Sequence, residues 1–238
     1  MAQLEVCVDT YEGACSAVAG GAARIELCSS LSEGGLTPSA GLMQAAAQLV
    51  VPCFAMIRPR SGLFRFSDVE VRIMLADIRA ARDAGLAGVV LGVQNAAGGL
   101  DLPILRQLIE AAGPMGKTLH RVIDVVPDPL AALDQAMSLG FDRVLSSGAQ
   151  PLAPDGADLI REMVRRSDGQ MSVMPGCGLT PENVRSVLER TGADEVHASC
   201  HEPVPGDPAF SDFDPVGGRQ QTSAREVARM VAALKGPG

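Results

Sequence analysis

Eight times along this chain a short apolar run is followed by a helix-sized segment, at roughly thirty residues per unit. Strands alternating with helices in this way require a parallel sheet, because each crossover helix returns the chain to the same edge. Eight units close that sheet on itself. The expected fold is therefore α/β, a (β/α)8 TIM barrel, formed as one domain over residues 1–238. A doubly wound open sheet is the competing architecture, but no Gly-x-Gly-x-x-Gly turn follows the first strand.

The predicted strands cover residues 3–9, 24–30, 53–60, 88–94, 117–124, 143–147, 171–176 and 195–200. Helix signals lie between them. Ser67 and Glu70 form a capping box opening a helix that Gly85 stops, and Gly140 ends another. Thr37–Pro38 and Thr180–Pro181 each read as an N-cap followed by proline at the first helical position. After the eighth strand, a loop of some twenty residues rich in Pro, Gly and Asp leads to a last helix over 223–234.

Composition narrows the function classes. A hydrophobic share of 47% supports a full core, while a charge of −8 with no basic stripe argues against nucleic-acid partners. No transmembrane span is present, and MAQLEVCVD carries acid where a secretory signal needs basic charge. Residence in the cytoplasm is expected. Six cysteines without a Cys-x-x-Cys pair are then thiols, packed mostly as small core residues.

The alternation within the strands singles out a set of polar residues. Leu4, Val6, Val8, Ile25 and Leu27 form the face that packs on helices, which turns Glu5, Cys7, Glu26 and Cys28 inwards. The same parity sends Met56, Arg58 and Arg60 inside from the third strand, His120 and Asp124 from the fifth, and His197 and Ser199 from the eighth. Early residues such as Glu5 suit a structural ion network. Late ones fall at the carboxyl rim, where barrels hold their sites.

Two chemistries compete for that rim. Cys7 and Cys28 recur in a Glu-x-Cys pattern on neighbouring strands, and two thiolates are a soft pair suited to Cu(I). Arg58, Arg60 and Arg121 suggest a small anion, since guanidinium grips carboxylate or phosphate by paired hydrogen bonds. Ser147 and Ser199 would add hydroxyls to that anion site. His120 and His197 are candidate acid–base groups, with Glu26 or Asp124 as partner. Gly176-Cys177-Gly178 stands where barrels bind phosphate, or is only a tight strand-to-helix turn. No nucleophile elbow, HExxH or P-loop is present, and no organic cofactor is expected.

RIELCSSLSEGGLTPS, MIRPRSGLFRFSDVE, LHRVID, RVLSSG and EVHAS, in this order and spacing, resemble the CutC copper-homeostasis family from about Leu4 to Ser199. The resemblance implies a (β/α)8 barrel, cytoplasmic copper handling, and Cys7 and Cys28 as the Cu(I) ligands. Assembly as a homo-oligomer, a dimer or tetramer, is expected as well. Three motifs depart from the family pattern. Its FHRAFD reads Leu119-His120-Arg121-Val122-Ile123-Asp124, its LTSG reads Leu145-Ser146-Ser147-Gly148, and Cys177 interrupts its glycine triplet.

Overall fold

The computed structural model describes residues 2–205, 209, 212 and 218–235. In chain order the barrel is built from β1 (Gln3–Val8), α1 (Tyr11–Gly20), β2 (Arg24–Leu27), α2 (Ala40–Ala46), β3 (Cys53–Met56), α3 (Asp68–Ala84), β4 (Gly88–Leu91) and α4 (Leu102–Ala112). It continues with β5 (Gly116–Leu119), α5 (Pro129–Leu139), β6 (Arg143–Ser146), α6 (Ala157–Ser167), β7 (Ser172–Pro175), α7 (Val184–Thr191) and β8 (Glu195–Ala198). Two further strands, β9 (His201–Val204) and β10 (Arg219–Thr222), precede α8 (Ala224–Lys235). All eight barrel strands are parallel, in the order β7-β6-β5-β4-β3-β2-β1-β8. The seam between β7 and β8 is closed by a parallel bridge from Gly176 to His197.

That seam depends on glycine. A Cβ on Gly176 would stand 2.5 Å from Leu145 Cδ1 and 3.1 Å from the His197 Cβ, so a side chain there would have to displace the Leu145 side chain and press on His197. The parity expected from sequence holds throughout the first two strands. Leu4, Val6, Val8, Ile25 and Leu27 belong to the large apolar shell shared with the helices. A separate small cluster inside the barrel joins Cys28, Phe54, Met56 and Val90.

The strands are shorter than their apolar runs. β3 stops at Met56 and β5 at Leu119, and the chain beyond β5 winds into a 3-10 turn over Arg121–Val125. The cause is local: His120 takes the Val122 amide on its imidazole Nδ1 at 3.1 Å, which caps the turn and ends the ladder. Asp124 therefore sits in a rim turn rather than on a strand. The last helix of the β7 unit also begins later than Thr180–Pro181, at Val184. Of the loop after β8, the described part contains the antiparallel pair β9–β10, with Thr222 opposite His201; residues 206–208, 210–211 and 213–217 lie outside the described residues.

α3 shows how directly sequence sets local structure. The Glu70 amide donates to Ser67 Oγ at 3.3 Å while the Ser67 amide donates to Glu70 Oε2 at 2.7 Å, completing the capping box. Gly85 ends the helix at φ +85°, a conformation that side chains disfavour.

Candidate active site and metal centre

The barrel interior is divided into two tiers. In the lower one, Arg24 donates to both Glu5 and Glu195, and Arg143 donates to Glu195 Oε2 at 2.6 Å. Both guanidiniums lie 5.5 Å over the Phe54 ring. Opposite charges and an aromatic face thus hold three buried ions, Glu5, Arg24 and Glu195, with the half-buried Arg143, and Glu5 belongs to this network.

The upper tier opens at the carboxyl ends of the strands as a cavity of about 480 Å³. Cys7, Glu26, His120, His197, Arg58 and Arg121 line it, together with Ser199 at the rim. Its walls are otherwise largely apolar, from Met56, Phe64, Leu145 and Leu179. Cys28 is buried just outside, its thiol 3.7 Å from Glu26 Oε2.

Register explains why Cys7, Glu26 and His197 meet. Glu26 on β2 pairs with Cys7 on β1, while His197 on β8 pairs with Glu5, two residues lower on β1. One ligand atom from each of Cys7, Glu26 and His197 lies within 4.8 Å of the other two. Among the described residues these are the three buried side chains so arranged. Burial disfavours charge on both His197 and Glu26, yet each outweighs that for the other. Facing Glu26 and then Cys7, the imidazole is held well above its usual pKa; facing His197 and then His120, the carboxyl is held below its own. Burial first, then Glu26 and Cys7, push the Cys28 thiol well up.

The second histidine is in the opposite state. Burial and then the Arg58 charge push the His120 pKa down to about 4. Because Nδ1 accepts the Val122 amide, the neutral ring carries its proton on Nε2, a buried donor without a hydrogen-bond partner among the described residues. Gly92 makes room for the ring: a Cβ there would stand 2.5 Å from His120 Cε1.

The three predicted anion-binding arginines are placed differently. Arg58 is 7% exposed and lines the cavity. Its Nη1 donates to the carbonyls of Glu33, Gly34 and Gly35 and its Nη2 to that of Gly62, with no carboxylate among its hydrogen-bond partners in the described residues. Arg60 is turned to the loop above α3, bonding Glu70 Oε1 at 2.5 Å and the carbonyls of Ser61, Leu63 and Arg65. Arg121 lines the mouth while donating to Asp124 at 2.9 Å and to Ser147 Oγ at 2.7 Å.

Asp124 and Ser147 are brought together with Arg121 but outside the cavity wall. The Asp124 carboxylate accepts from Ser146 Oγ at 2.6 Å, from the Ser147 amide at 2.9 Å and from the Ala149 amide at 3.1 Å. It ties the 3-10 turn after β5 to the loop after β6. Cys177 lines the cavity at φ +80°, and five residues separate Gly178 from the start of α7, so that turn does not abut the helix N-terminus.

Phe64 was not singled out by sequence reasoning. Its ring centroid lies 4.6 Å from that of His120, and the Arg58 guanidinium carbon lies 5.0 Å over its face. The available signal was an aromatic residue, one of few in the chain, set in an arginine-flanked loop.

With this geometry in place, the CutC family profile matches residues 2–202. The chain belongs to the CutC family. A CutC-family protein of Rhizobium meliloti is 46% identical over 240 residues, covering 98% of this chain and 96% of that one. A human relative described as a copper homeostasis protein cutC homolog is 47% identical over 198 residues, covering 83% of this chain and 72% of its own. The solved structure of a CutC protein from Streptococcus agalactiae superposes with a TM-score of 0.80 at 30% identity, over 84% of this chain and 99% of that one. This member of the CutC family thus carries its Cys–Glu–His group inside the barrel, between β8 and β2.

Proposed function

We propose that this CutC-family barrel binds copper(I) as cargo, centred on Cys7, with His197 as the second donor and Glu26 and the Cys28 thiol beside it. The observation that carries the reading is the mutual approach of the Cys7, Glu26 and His197 ligand atoms within 4.8 Å. Metal–thiolate and metal–imidazole bonds of about 2.0–2.3 Å place two donors roughly 4.4 Å apart across a linear ion. A thiolate with an imidazole is a soft to borderline set, which suits Cu(I) and is poor for Mg²⁺ or Ca²⁺. Human and mouse relatives carry a copper-homeostasis name. A reducing cytoplasm, in which thiols stay free, is the compartment such a site needs. Among the described residues no helix is long and apolar enough to cross a membrane. Exposed Val69 and Ile73, one turn apart on α3, support assembly of like copies into a dimer or tetramer.

Titration with Cu(I) against a competing Cu(I) chelator tests this. Cys7→Ser should lower affinity by at least about tenfold, as loss of a metal-site residue commonly does. A Cys7→Ser/Cys28→Ser variant with wild-type affinity would refute the site. Comparing Cys28→Ser with His197→Asn identifies the second ligand.

One observation favours a second reading, an enzyme acting on a small anionic substrate. Arg58 is a buried cation whose four hydrogen-bond acceptors are all neutral carbonyls, and it faces a cavity far larger than a metal ion. In that reading Arg58, Arg121 and Ser199 hold the substrate, and His120, Glu26 or His197 moves protons, while Arg60, Asp124 and Ser147 hold the rim loops. Metabolite profiling of wild type against Arg58→Ala tests it; no metabolite differing between the two would count against it.

A further inference from the structure

The Cys7–Glu26–His197 group carries a donor that a soft monovalent ion does not require. Glu26 is a hard oxygen ligand, yet its Oε2 lies 3.0 Å from His197 Nε2. A linear two-coordinate ion holds its donors roughly 4.4 Å apart and has no use for a carboxylate. Four-coordinate geometry is tighter. With bonds of about 2.3 Å to sulfur and about 2.0–2.2 Å to nitrogen and oxygen, donors on a tetrahedral ion stand roughly 3.3–3.6 Å apart. The Glu26–His197 approach is close to that edge, and all three donors fall within 4.8 Å of one another, so side-chain movement alone can seat them around one ion.

Charge and donor type point the same way. Bound to metal, Cys7 is a thiolate, Glu26 a carboxylate and His197 a neutral imidazole. Two negative charges balance a divalent ion, whereas a monovalent one leaves a net negative charge inside the barrel. Sulfur, nitrogen and oxygen together form a borderline set, which suits Zn²⁺ rather than Mg²⁺ or Ca²⁺.

The number of donors is specific as well. Among the described residues the group holds three, and Cys28 stands outside it. Structural zinc sites close with four protein ligands, while sites with three leave the fourth position to water or to a bound molecule. Here the three residues all line the cavity of about 480 Å³, which is large enough for a small organic molecule. They stand on adjacent strands, β8, β1 and β2, so backbone ladders rather than a loop set their spacing.

We propose that Cys7, Glu26 and His197 form a three-ligand site for a borderline divalent ion such as Zn²⁺, with its fourth coordination position open to the barrel cavity. This site goes beyond the copper(I) reading: it uses the same side chains, makes Glu26 a ligand, and requires another ion charge and another geometry. A small molecule entering from the rim completes the metal's shell through an oxygen or nitrogen donor.

Absorption spectroscopy of the full chain, stripped of metal with a chelator and held under anaerobic conditions, tests it with Co²⁺ standing in for Zn²⁺. Stoichiometric Co²⁺ should give a sulfur-to-cobalt charge-transfer band and the strong d–d bands of four-coordinate cobalt, and Zn²⁺ should abolish both. Cys7→Ser should remove the charge-transfer band, whereas Cys28→Ser should keep it. His197→Asn should weaken Co²⁺ binding at least about tenfold. Azide or acetohydroxamate should shift the d–d bands by entering the open position. If neither shifts them, the open position is refuted. Weak six-coordinate d–d bands, or a charge-transfer band that survives Cys7→Ser, overturn the site. If Cu(I) binds and Co²⁺ does not, the copper reading stands and the divalent site falls; if Co²⁺ binds as described and Cu(I) does not, the reverse holds. Should a variant fail to fold, the wild-type spectrum and its response to azide and acetohydroxamate still decide.

Discussion

His197 Nε2 lies 3.0 Å from Glu26 Oε2, across the strand that carries Cys7. This buried pair is held from both sides of β1 and has no solvent to fall back on. Removing one charge leaves the other uncompensated. Glu26→Gln should therefore destabilise the fold by about 3–5 kcal/mol, whereas a Glu26→Gln/His197→Asn double variant should recover part of that loss. Urea denaturation of the two singles and the double variant measures the coupling; additive effects would show that the pair contributes nothing.

His120 gives the fold an acid-sensitive point. Its ordinary value is 6.5, and in the folded protein it is pushed down to about 4. Above pH 6.5 the ring is neutral whether folded or not, and stability is unaffected. Below that, the unfolded chain takes up a proton that the folded chain resists, so stability falls as the pH drops. Between pH 6.5 and 4 the wild type should lose on the order of 3 kcal/mol relative to His120→Asn. Parallel urea curves for both proteins across that range check the sign and the size.

The lower tier should prove structural and separable from the cavity. Arg24→Met leaves Glu5 without its guanidinium partner and should cost about 3–5 kcal/mol. The Cu(I) affinity of the folded fraction should stay within about threefold of wild type, since distant sites usually act independently. Chelator competition well below the melting temperature is the measurement.

Asp124 should behave as a clasp. With five bonds from Arg121, Ser146, Ser147 and Ala149 on one buried carboxylate, Asp124→Ala should cost about 3 kcal/mol or more. Hydrogen exchange should rise at the Ser147 and Ala149 amides. Protection unchanged at those two positions would show that the loop holds itself.

Two glycines should fail for different reasons. At Gly92 a Cβ collides with the His120 ring, so Gly92→Ala should cost about 1–3 kcal/mol and move the imidazole. At Gly85 nothing lies within 4 Å, and Gly85→Ala should cost only about 1 kcal/mol, from the φ of +85° alone. Thermal melts separate the two, and only the first should shift the His120 resonances.

Counting in twos was enough to read the barrel and most of the cavity wall. Glu26, Cys7, His120, His197 and Arg58 are interior in the structure because alternate residues of a strand must point to opposite faces, and the helical shell claims the apolar one. Parity fails where the strand ends. Arg60 continues the count from β3 on paper, but β3 stops at Met56 and the loop carries its guanidinium to Glu70. Asp124 is lost to the count in the same way, through the 3-10 turn that His120 caps.

What this sequence determined alone was the alternation of strand and helix, hence the barrel, and the face each strand residue takes, because both follow from local periodicity. Height within the barrel was decided by tertiary structure. The stagger between β8, β1 and β2 seats His197 and Glu26 beside Cys7, and Cys28 one step outside their group. The same three-dimensional setting fixed the His120 tautomer and gave Arg58, among the described residues, only backbone carbonyls as hydrogen-bond acceptors. Those outcomes depend on distances between strands far apart in the chain, and no local pattern encodes a distance.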